Sequence, residues 1–381
     1  MQIVEFTADT LRFSDALPAK APADGFVWVF VDRDELPIHQ ALLQQAAQQL
    51  GGSALLDLHR QDLANALHPS HYDFTSIYDL VIFRRLATQA ETRAEAEHDA
   101  AVTAYHGQTR TKPRGGLPAF NRISSRAVGF VVFDRLLISV HPRGCYTAKS
   151  FIERSLTDAK FSVDATSARN RIPSGPADLV LRMINAMVDS YLDVRKELTT
   201  QLEHWQAELL KPNSRFINWG SLMGARSQLH VLEDLCDEQH DAIQEWLDSL
   251  REQPMSSFAA NDQLAQSRRD QLVARARDVV EHIQRVVHHA RRLEQSAETV
   301  VQIHFSAQSN RTNDIMRTLT ALTAIFLPLN LIAGIFGMNF EFIPLLHLPS
   351  GFWWAMGSMA LVALTLAVVF WRKDYLARTR R

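Results

Sequence analysis

Seven residues in the C-terminal part of the sequence recur every three or four positions: Asn313, Met316, Thr320, Thr323, Leu327, Asn330 and Gly334. On an α-helix that spacing gathers them into one stripe of amide, thioether, hydroxyl and small side chains. The remaining faces of the segment are Leu, Ile, Ala and Phe. Polar groups in so apolar a setting are costly unless they face protein or water. The stripe can therefore line a watery path, or it can glue helices together, as Thr, Asn and Gly often do. The pattern alone leaves both readings open.

Other chemistries find less support. There is no GxxxxGK[ST] phosphate loop. Cys145 and Cys236 lie far apart and show no CxxC spacing, which suits a reducing cytosol and neither a zinc finger nor a disulfide scaffold. There are 15 histidines, among them His282, His288, His289 and His304 on one helical stretch and His347 in a loop. His282 and His289 can share a helix face, but a zinc site needs four converging ligands, so these read as solvated residues. A formal net charge of −2 gives no reason to expect a nucleic-acid partner. The expectation is a protein that is not an enzyme and holds no tightly bound cofactor.

The element that must carry the stripe is a membrane span. Residues 315–336 (IMRTLTALTAIFLPLNLIAGIF) hold one charge, Arg317, and residues 352–371 (FWWAMGSMALVALTLAVVFW) hold none. Each is long enough to cross a hydrocarbon core of ~30 Å as a helix. Arg311 and Arg317 stand at the start of the first span. Arg372, Lys373, Arg378, Arg380 and Arg381 follow the second, and the loop 337–351 has no Lys or Arg. The positive-inside rule then places both termini in the cytoplasm of the inner (plasma) membrane. Trp353, Trp354 and Trp371 sit at the ends of the second span, where indoles favour the headgroup level. The N-terminal residues carry acids and no apolar core, and do not read as a signal peptide.

The rest of the chain divides in two. Residues 1–175 read as a cytosolic α/β domain. Its strand-like runs are 26–32 (FVWVFVD), 55–59 (LLDLH), 78–86 (YDLVIFRRL), 127–133 (AVGFVVF) and 136–141 (LLISVH), the last two forming a hairpin about Asp134-Arg135. Residues 37–50 read as a helix stopped by Gly51-Gly52. Residues 88–121, rich in Ala, Glu, Thr, Gly and Arg, read as a mobile insertion. Residues 176–312 read as long helices over 177–210 and 219–252, with a third from about 258 that meets no breaker before Pro328. That third helix is a stalk running directly into the first span, so that 313–381 is a transmembrane hairpin with a basic tail.

After the first span comes Gly337-Met338-Asn339, followed by Phe340-Glu341-Phe342-Ile343-Pro344. The whole stretch SNRTNDIMRTLTALTAIFLPLNLIAGIFGMNFEFIP, with a second span and a basic tail behind it, resembles the signature of the CorA metal-ion transporter family. The close resemblance covers about residues 277–376. It implies a funnel-shaped homopentamer in the lipid bilayer, with a cytosolic α/β domain, a long stalk helix and two transmembrane helices per chain. The implied activity is influx of Mg²⁺ or Co²⁺ driven by the membrane potential and gated by intracellular metal. An inside-negative potential of 100 mV supplies ~4.6 kcal/mol for a divalent ion.

The resemblance also implies residue roles. Gly337, Met338 and Asn339 would form the selectivity filter, with Glu341 in the external loop. Asn313, Met316, Leu319, Leu327 and Asn330 fall on pore-lining or gating positions, in line with Thr320 of the stripe. Asp278 would bind regulatory metal, with Asp79 or Asp73 as the partner acid. Mg²⁺ sheds its waters reluctantly, so a ring of Asn339 amides that accepts the hydrated ion is a fitting selector.

There are departures from the family pattern. Asn330 stands where the family often has Thr, Leu327 where it often has Met, Leu345 where a second loop acid is usual, and Gln302 where an acid lies near the inner mouth. Fewer attracting charges should accumulate metal less strongly. Ni²⁺ and Zn²⁺ remain candidate ions, because the zinc-transporting ZntB branch shares this architecture and can be proton-coupled, although its loops tend to be Gly-rich after the motif. A reading of another class is a membrane-anchored coiled-coil scaffold that conducts nothing. It would leave the polar stripe ending in Gly-Met-Asn without a purpose.

Overall fold

A computed structural model describes residues 1–7, 10–22, 24–87, 91, 123–145, 151, 172–209, 219–252, 263–338 and 350–373. The described chain forms two compact units, one of Met1–Trp205 with Ile217–Glu298, the other of Gln206–Phe216 with Thr299–Arg381.

In the first unit the most apolar runs become central strands. Residues β3 (Phe26–Asp32) and β7 (Leu136–His141) are apolar at almost every position, a pattern that demands cover on both faces of the sheet. They pair in parallel, Val27 opposite Leu136. Around them run β1 (Gln2–Phe6), β2 (Leu11–Ser14), β4 (His71–Phe74), β5 (Asp79–Leu86) and β6 (Ser125–Val132), in the order β2-β1-β3-β7-β6-β5-β4. All pairings but β3–β7 are antiparallel. The expected hairpin closes between β6 and β7, with Phe133 N–H donating to Leu136 C=O at 2.9 Å.

One face of the sheet, with Val27, Val29, Val31, Ile138 and Val140, packs against α1 (Leu36–Ala46) and α2 (Asp57–Ala64). The α1 turn runs on to Gly51, and Gly52 stops it at φ +85°, a left-handed conformation that favours glycine. α2 lies so close to β6 that a Cβ on Gly129 would stand 2.3 Å from Leu63 Cδ2.

The expected strand over 55–59 is α2 and its approach instead. Leu55, His59 and Leu63 are buried while Leu56 and Leu58 are exposed, a period of four that belongs to a helix face. The short strands β1, β2 and β4 escape a reading based on long apolar runs. The insertion 88–121 lies outside the described residues apart from Glu91.

Three long helices complete this unit: α3 (Pro176–Leu209), α4 (Trp219–Glu252) and the first part of α5 (Gln263–Phe336). Buried positions alternate by three and four along each. On α4 they are Leu222, Ala225, Leu229, Leu232, Cys236, Gln239, Ile243, Trp246 and Leu250. On α5 they are Ala276, Val279, Ile283, Val286, Ala290, Leu293 and Ala297. This is the coiled-coil repeat. Polar ties cross the seams: Tyr191 OH to His289 Nδ1 at 2.6 Å, Arg275 to Asp178 at 2.6 Å, and Trp246 Nε1 of α4 to Asp79 Oδ2 of β5 at 3.1 Å.

The second unit holds the remainder of α5 and α6 (Gly351–Arg372). α5 has 74 residues, about 110 Å at 1.5 Å per residue. It runs through Pro328 without ending; apolar spanning helices tolerate such a proline. The shielded residues of α6, Gly351, Ala355, Met359, Val362, Ala363, Leu366, Ala367 and Phe370, recur at helical spacing on one side of the helix.

Candidate functional site

Both C-terminal helices are long and apolar enough to cross a bilayer, and only 6% of the most apolar stretch of each is buried within the protomer. Leu322, Phe326 and Leu331 on α5, and Trp353, Leu361 and Leu364 on α6, are more than half exposed or close to it. An apolar surface of that extent is made for lipid or for other copies of the chain.

On α5 the predicted residues share one side. Asn313, Met316, Leu319, Thr320, Leu327 and Asn330 occupy about a third of the helix circumference at 3.6 residues per turn, and all six are exposed. The shielded positions, Ala321, Ala324, Ile325, Pro328, Leu329 and Ile332, lie on roughly the opposite side of the helix. The polar stripe is thus turned away from whatever this protomer itself covers.

The stripe hydroxyls are not bare donors. Thr320 Oγ1 donates to Met316 C=O at 2.8 Å and Thr323 Oγ1 to Leu319 C=O at 2.9 Å. With the proton committed to the helix backbone, each hydroxyl offers oxygen lone pairs to its surroundings, the polarity a cation needs. At the end of the helix, Gly337 N–H donates to Ala333 C=O at 2.9 Å and Met338 N–H to Ile335 C=O at 3.3 Å. A Cβ on Gly337 would stand 3.1 Å from that Ala333 oxygen, a tight contact. Asn339, Glu341 and His347 lie outside the described residues.

The three acids expected to hold regulatory metal have different surroundings. Asp278 is exposed on α5. Arg275, one turn away, reaches Asp178 and not Asp278. Among the described residues no hydrogen bond or ion pair joins Asp278 to Asp73 or Asp79.

Asp79 accepts from Tyr72 OH at 3.2 Å and Trp246 Nε1 at 3.1 Å. Burial nevertheless lifts its carboxyl above the usual range, against the pull of those two donors. Asp73 bonds His59 Nε2 at 3.0 Å through Oδ2 and accepts from Phe74 N–H at 2.7 Å through Oδ1. Its partial burial works to raise the carboxyl, but the His59 and Phe74 hydrogen bonds outweigh it and hold the group below the ordinary range.

His59 is in turn fixed by Tyr78 OH at 2.9 Å from Nδ1. That chain of partners, which the sequence does not reveal, makes Asp73 an ionised carboxylate with a 41% exposed side chain. Both acids border a cleft of about 1420 Å³ that Asp134, Asp178 and Asp248 also line.

The stalk histidines are not all solvated, as the sequence suggested. His289 is buried against Tyr191. Burial, with Arg195 and Arg292 nearby, pushes its pKa down to about 4, so it is neutral at pH 7. His282 faces Asn185 and Asp189 at 3.3 and 3.4 Å. Both point to α3 because they are seven residues apart. Neither belongs to a cluster of metal-ligating side chains among the described residues.

Against known proteins, residues 23–373 match the family described as CorA-like Mg²⁺ transporter protein. The cobalt/magnesium transport protein CorA of Thermotoga maritima is 27% identical over 199 residues, 52% of each chain. The magnesium transport protein CorA of Haemophilus influenzae is 34% identical over 101 residues, 26% of this chain and 32% of that one. The matched regions thus span about half and about a third of those relatives.

Among solved structures, the complete CorA magnesium transporter of Methanocaldococcus jannaschii superposes with a TM-score of 0.67 at 16% identity, covering 98% of both chains. The full-length CmaX protein gives 0.59 at 17% identity, covering 98% of this chain and 97% of that one. These two share the fold of this chain, which has an N-terminal α/β sheet domain, a long helix and two C-terminal helices long and apolar enough to cross a membrane.

Proposed function

Because the chain belongs to the family of CorA-like Mg²⁺ transporter proteins, we propose that it conducts divalent cations, Mg²⁺ or Co²⁺, across a membrane through a pore lined by α5. The observation that carries this reading is the polar stripe from Asn313 to Asn330, exposed on the side of α5 roughly opposite its shielded positions. Amide and hydroxyl groups on an apolar helix need water or other protein around them. Five copies arranged about an axis satisfy that need with a hydrated channel, whereas packing on α6 would leave the stripe turned to lipid. The relatives named as magnesium and cobalt/magnesium transport proteins support this choice of ions.

The physical steps follow from the residues. Mg²⁺ is small and holds its waters tightly. A ring of Asn339 amides outside the span accepts the hydration shell without stripping it, and Glu341 raises the local cation concentration. Inside, the lone pairs of Thr320 and Thr323 and the amides of Asn330 and Asn313 replace bulk water as partners for the ion's shell. The rings formed by Met316, Leu319 and Leu327 are apolar and close the pore by dewetting when they draw together. The membrane potential is the driving force, worth ~4.6 kcal/mol per divalent ion at 100 mV. The flanking Lys and Arg set both termini in the cytoplasm of the inner membrane.

The chain then works in three parts: 1–175 as a cytosolic sensor, 176–312 as the helices that transmit, and 313–381 as the pore. Regulation rests on Asp278, an exposed carboxylate 35 residues before Asn313 in the sequence, which binds cytosolic metal between neighbouring chains and favours the closed arrangement. Of its two candidate partners Asp73 is the better ligand, being ionised and accessible. Asp79 is half-buried and its oxygens are already engaged by Tyr72 and Trp246.

The test is uptake of Mg²⁺, Co²⁺, Ni²⁺ and Zn²⁺ by vesicles containing the purified protein, with and without an inside-negative potential. Potential-dependent entry of Mg²⁺ and Co²⁺ that is lost in Asn339→Ala is the expected result. Absence of any divalent uptake, or wild-type uptake in Asn339→Ala, contradicts the proposal or its selector respectively.

A further inference from the structure

Within the first unit, α4 and α5 bring together three groups that none of the roles above uses. His230 and Glu233 are one turn apart on α4, so they project from the same face, and Glu294 of α5 meets them. One ligand atom from each lies within 4.8 Å of the other two. We propose that His230, Glu233 and Glu294 form a binding site for a transition-metal ion, Zn²⁺, Co²⁺ or Ni²⁺, that bridges α4 and α5. This site is separate from ion conduction and stands or falls independently of it.

The donor set decides the metal class. Mg²⁺ takes oxygen ligands in near-octahedral geometry and keeps several waters, so an imidazole suits it badly. One imidazole with two carboxylates is a set that Zn²⁺, Co²⁺ and Ni²⁺ accept. Three protein ligands leave a fourth position for water, the arrangement of an open zinc site. With metal–ligand bonds of ~2.1 Å, tetrahedral ligands stand about 3.4 Å apart. The three atoms need therefore draw together by no more than about 1.4 Å, a side-chain rotation for an exposed His230 and two half-buried glutamates.

The surroundings favour a cation and include a competitor for the place. Asp234, one turn beyond His230, has Oδ2 4.0 Å from the His230 Nε2, close enough for a small rotation to let it orient the imidazole when the metal takes Nδ1. Arg291 of α5 bonds Glu233 at 2.7 Å and Asp237 at 2.9 Å. Its side chain is 48% exposed, so it can swing away and keep Asp237 while a metal takes Glu233. With four carboxylates and one guanidinium in this patch, the local charge is negative even with Arg291 in place. Metal occupancy would clamp α4 to α5, the helix that also carries the polar stripe.

The test measures Zn²⁺ bound per chain by equilibrium dialysis of the full-length protein in detergent, with millimolar Mg²⁺ present to fill oxygen-only sites. Relative to wild type, His230→Ala and Glu294→Gln should each weaken one Zn²⁺ per chain at least about tenfold, since loss of even an orienting partner costs about 10–100-fold. Arg291→Gln should strengthen the same binding by removing the competitor, an outcome that a misfolded variant cannot mimic. Wild-type Zn²⁺ binding in both ligand variants overturns the site, and so does unchanged or weaker binding in Arg291→Gln.

Discussion

Replacing Asp79 separates a structural carboxylate from a metal ligand. Asp79→Ala removes the acceptor of two hydrogen bonds, from Tyr72 OH and from the indole N–H of fully buried Trp246. Hydrogen bonds to a charged group contribute about 1.5–3 kcal/mol, and a buried donor left without a partner costs about 1–3 kcal/mol. Burial already opposes the ionised carboxylate, which offsets part of the sum. The net loss is therefore about 2–4 kcal/mol, or roughly 5–15 °C in Tm at about 2–4 °C per kcal/mol.

The pH dependence has a definite sign. The folded pKa of Asp79 lies above its unfolded value, so this group's stabilising contribution is full below the unfolded pKa and is lost as pH rises through the folded one. Asp79→Asn, which keeps a neutral acceptor, should cost less than Asp79→Ala and should gain on wild type as pH rises above the ordinary carboxyl range. Thermal unfolding of the full chain in detergent, followed by tryptophan fluorescence, reads both effects. An unchanged Tm in Asp79→Ala refutes the structural assignment. So does loss of Mg²⁺-dependent protection from protease in Asp79→Asn at an unchanged Tm, which would make Asp79 the metal ligand.

Further outcomes are expected. Native mass measurement in mild detergent should return five copies of the 43.1 kDa chain; a monomer or dimer removes the reason for the exposed stripe. Asp278→Asn should weaken inhibition by intracellular Mg²⁺ and make the cytosolic part easier to cleave in its presence, and retention of both wild-type behaviours moves the regulatory site elsewhere. Gly129→Val should destabilise the sheet domain by about 1–3 kcal/mol through overpacking against Leu63, read as a lower Tm with unaltered conduction at permissive temperature.

What was legible in the sequence follows from the range of the forces that determine it. The helix 219–252 was readable to the residue because its three–four alternation is local and Pro254 follows it. The strands β3, β5, β6 and β7 were readable because burial on both faces needs apolar side chains at nearly every position. Residues 55–59 misled because Leu55-Leu56-Asp57-Leu58-His59 is too short to tell a period of two from one of four. The stripe from Asn313 to Asn330 was legible as a stripe, but its orientation away from the shielded side of α5 required coordinates.

Partner groups were beyond reach for the same reason. Nothing local in the sequence announces that Trp246 holds Asp79, that His59 and Tyr78 hold Asp73, or that Tyr191 buries His289. His230 and Glu233 show a one-turn spacing on α4, but Glu294 arrives from another helix 61 residues further on, and only the fold brings it there.

The most direct test of the central claim is the current carried by the purified protein in a planar bilayer with a tenfold Mg²⁺ gradient and low Mg²⁺ on the regulatory side. A divalent-selective pore predicts a current that reverses near ~30 mV, the tenfold value for a two-charge carrier, and that disappears in Asn339→Ala. No current, or a reversal potential that follows chloride or protons instead, would contradict it.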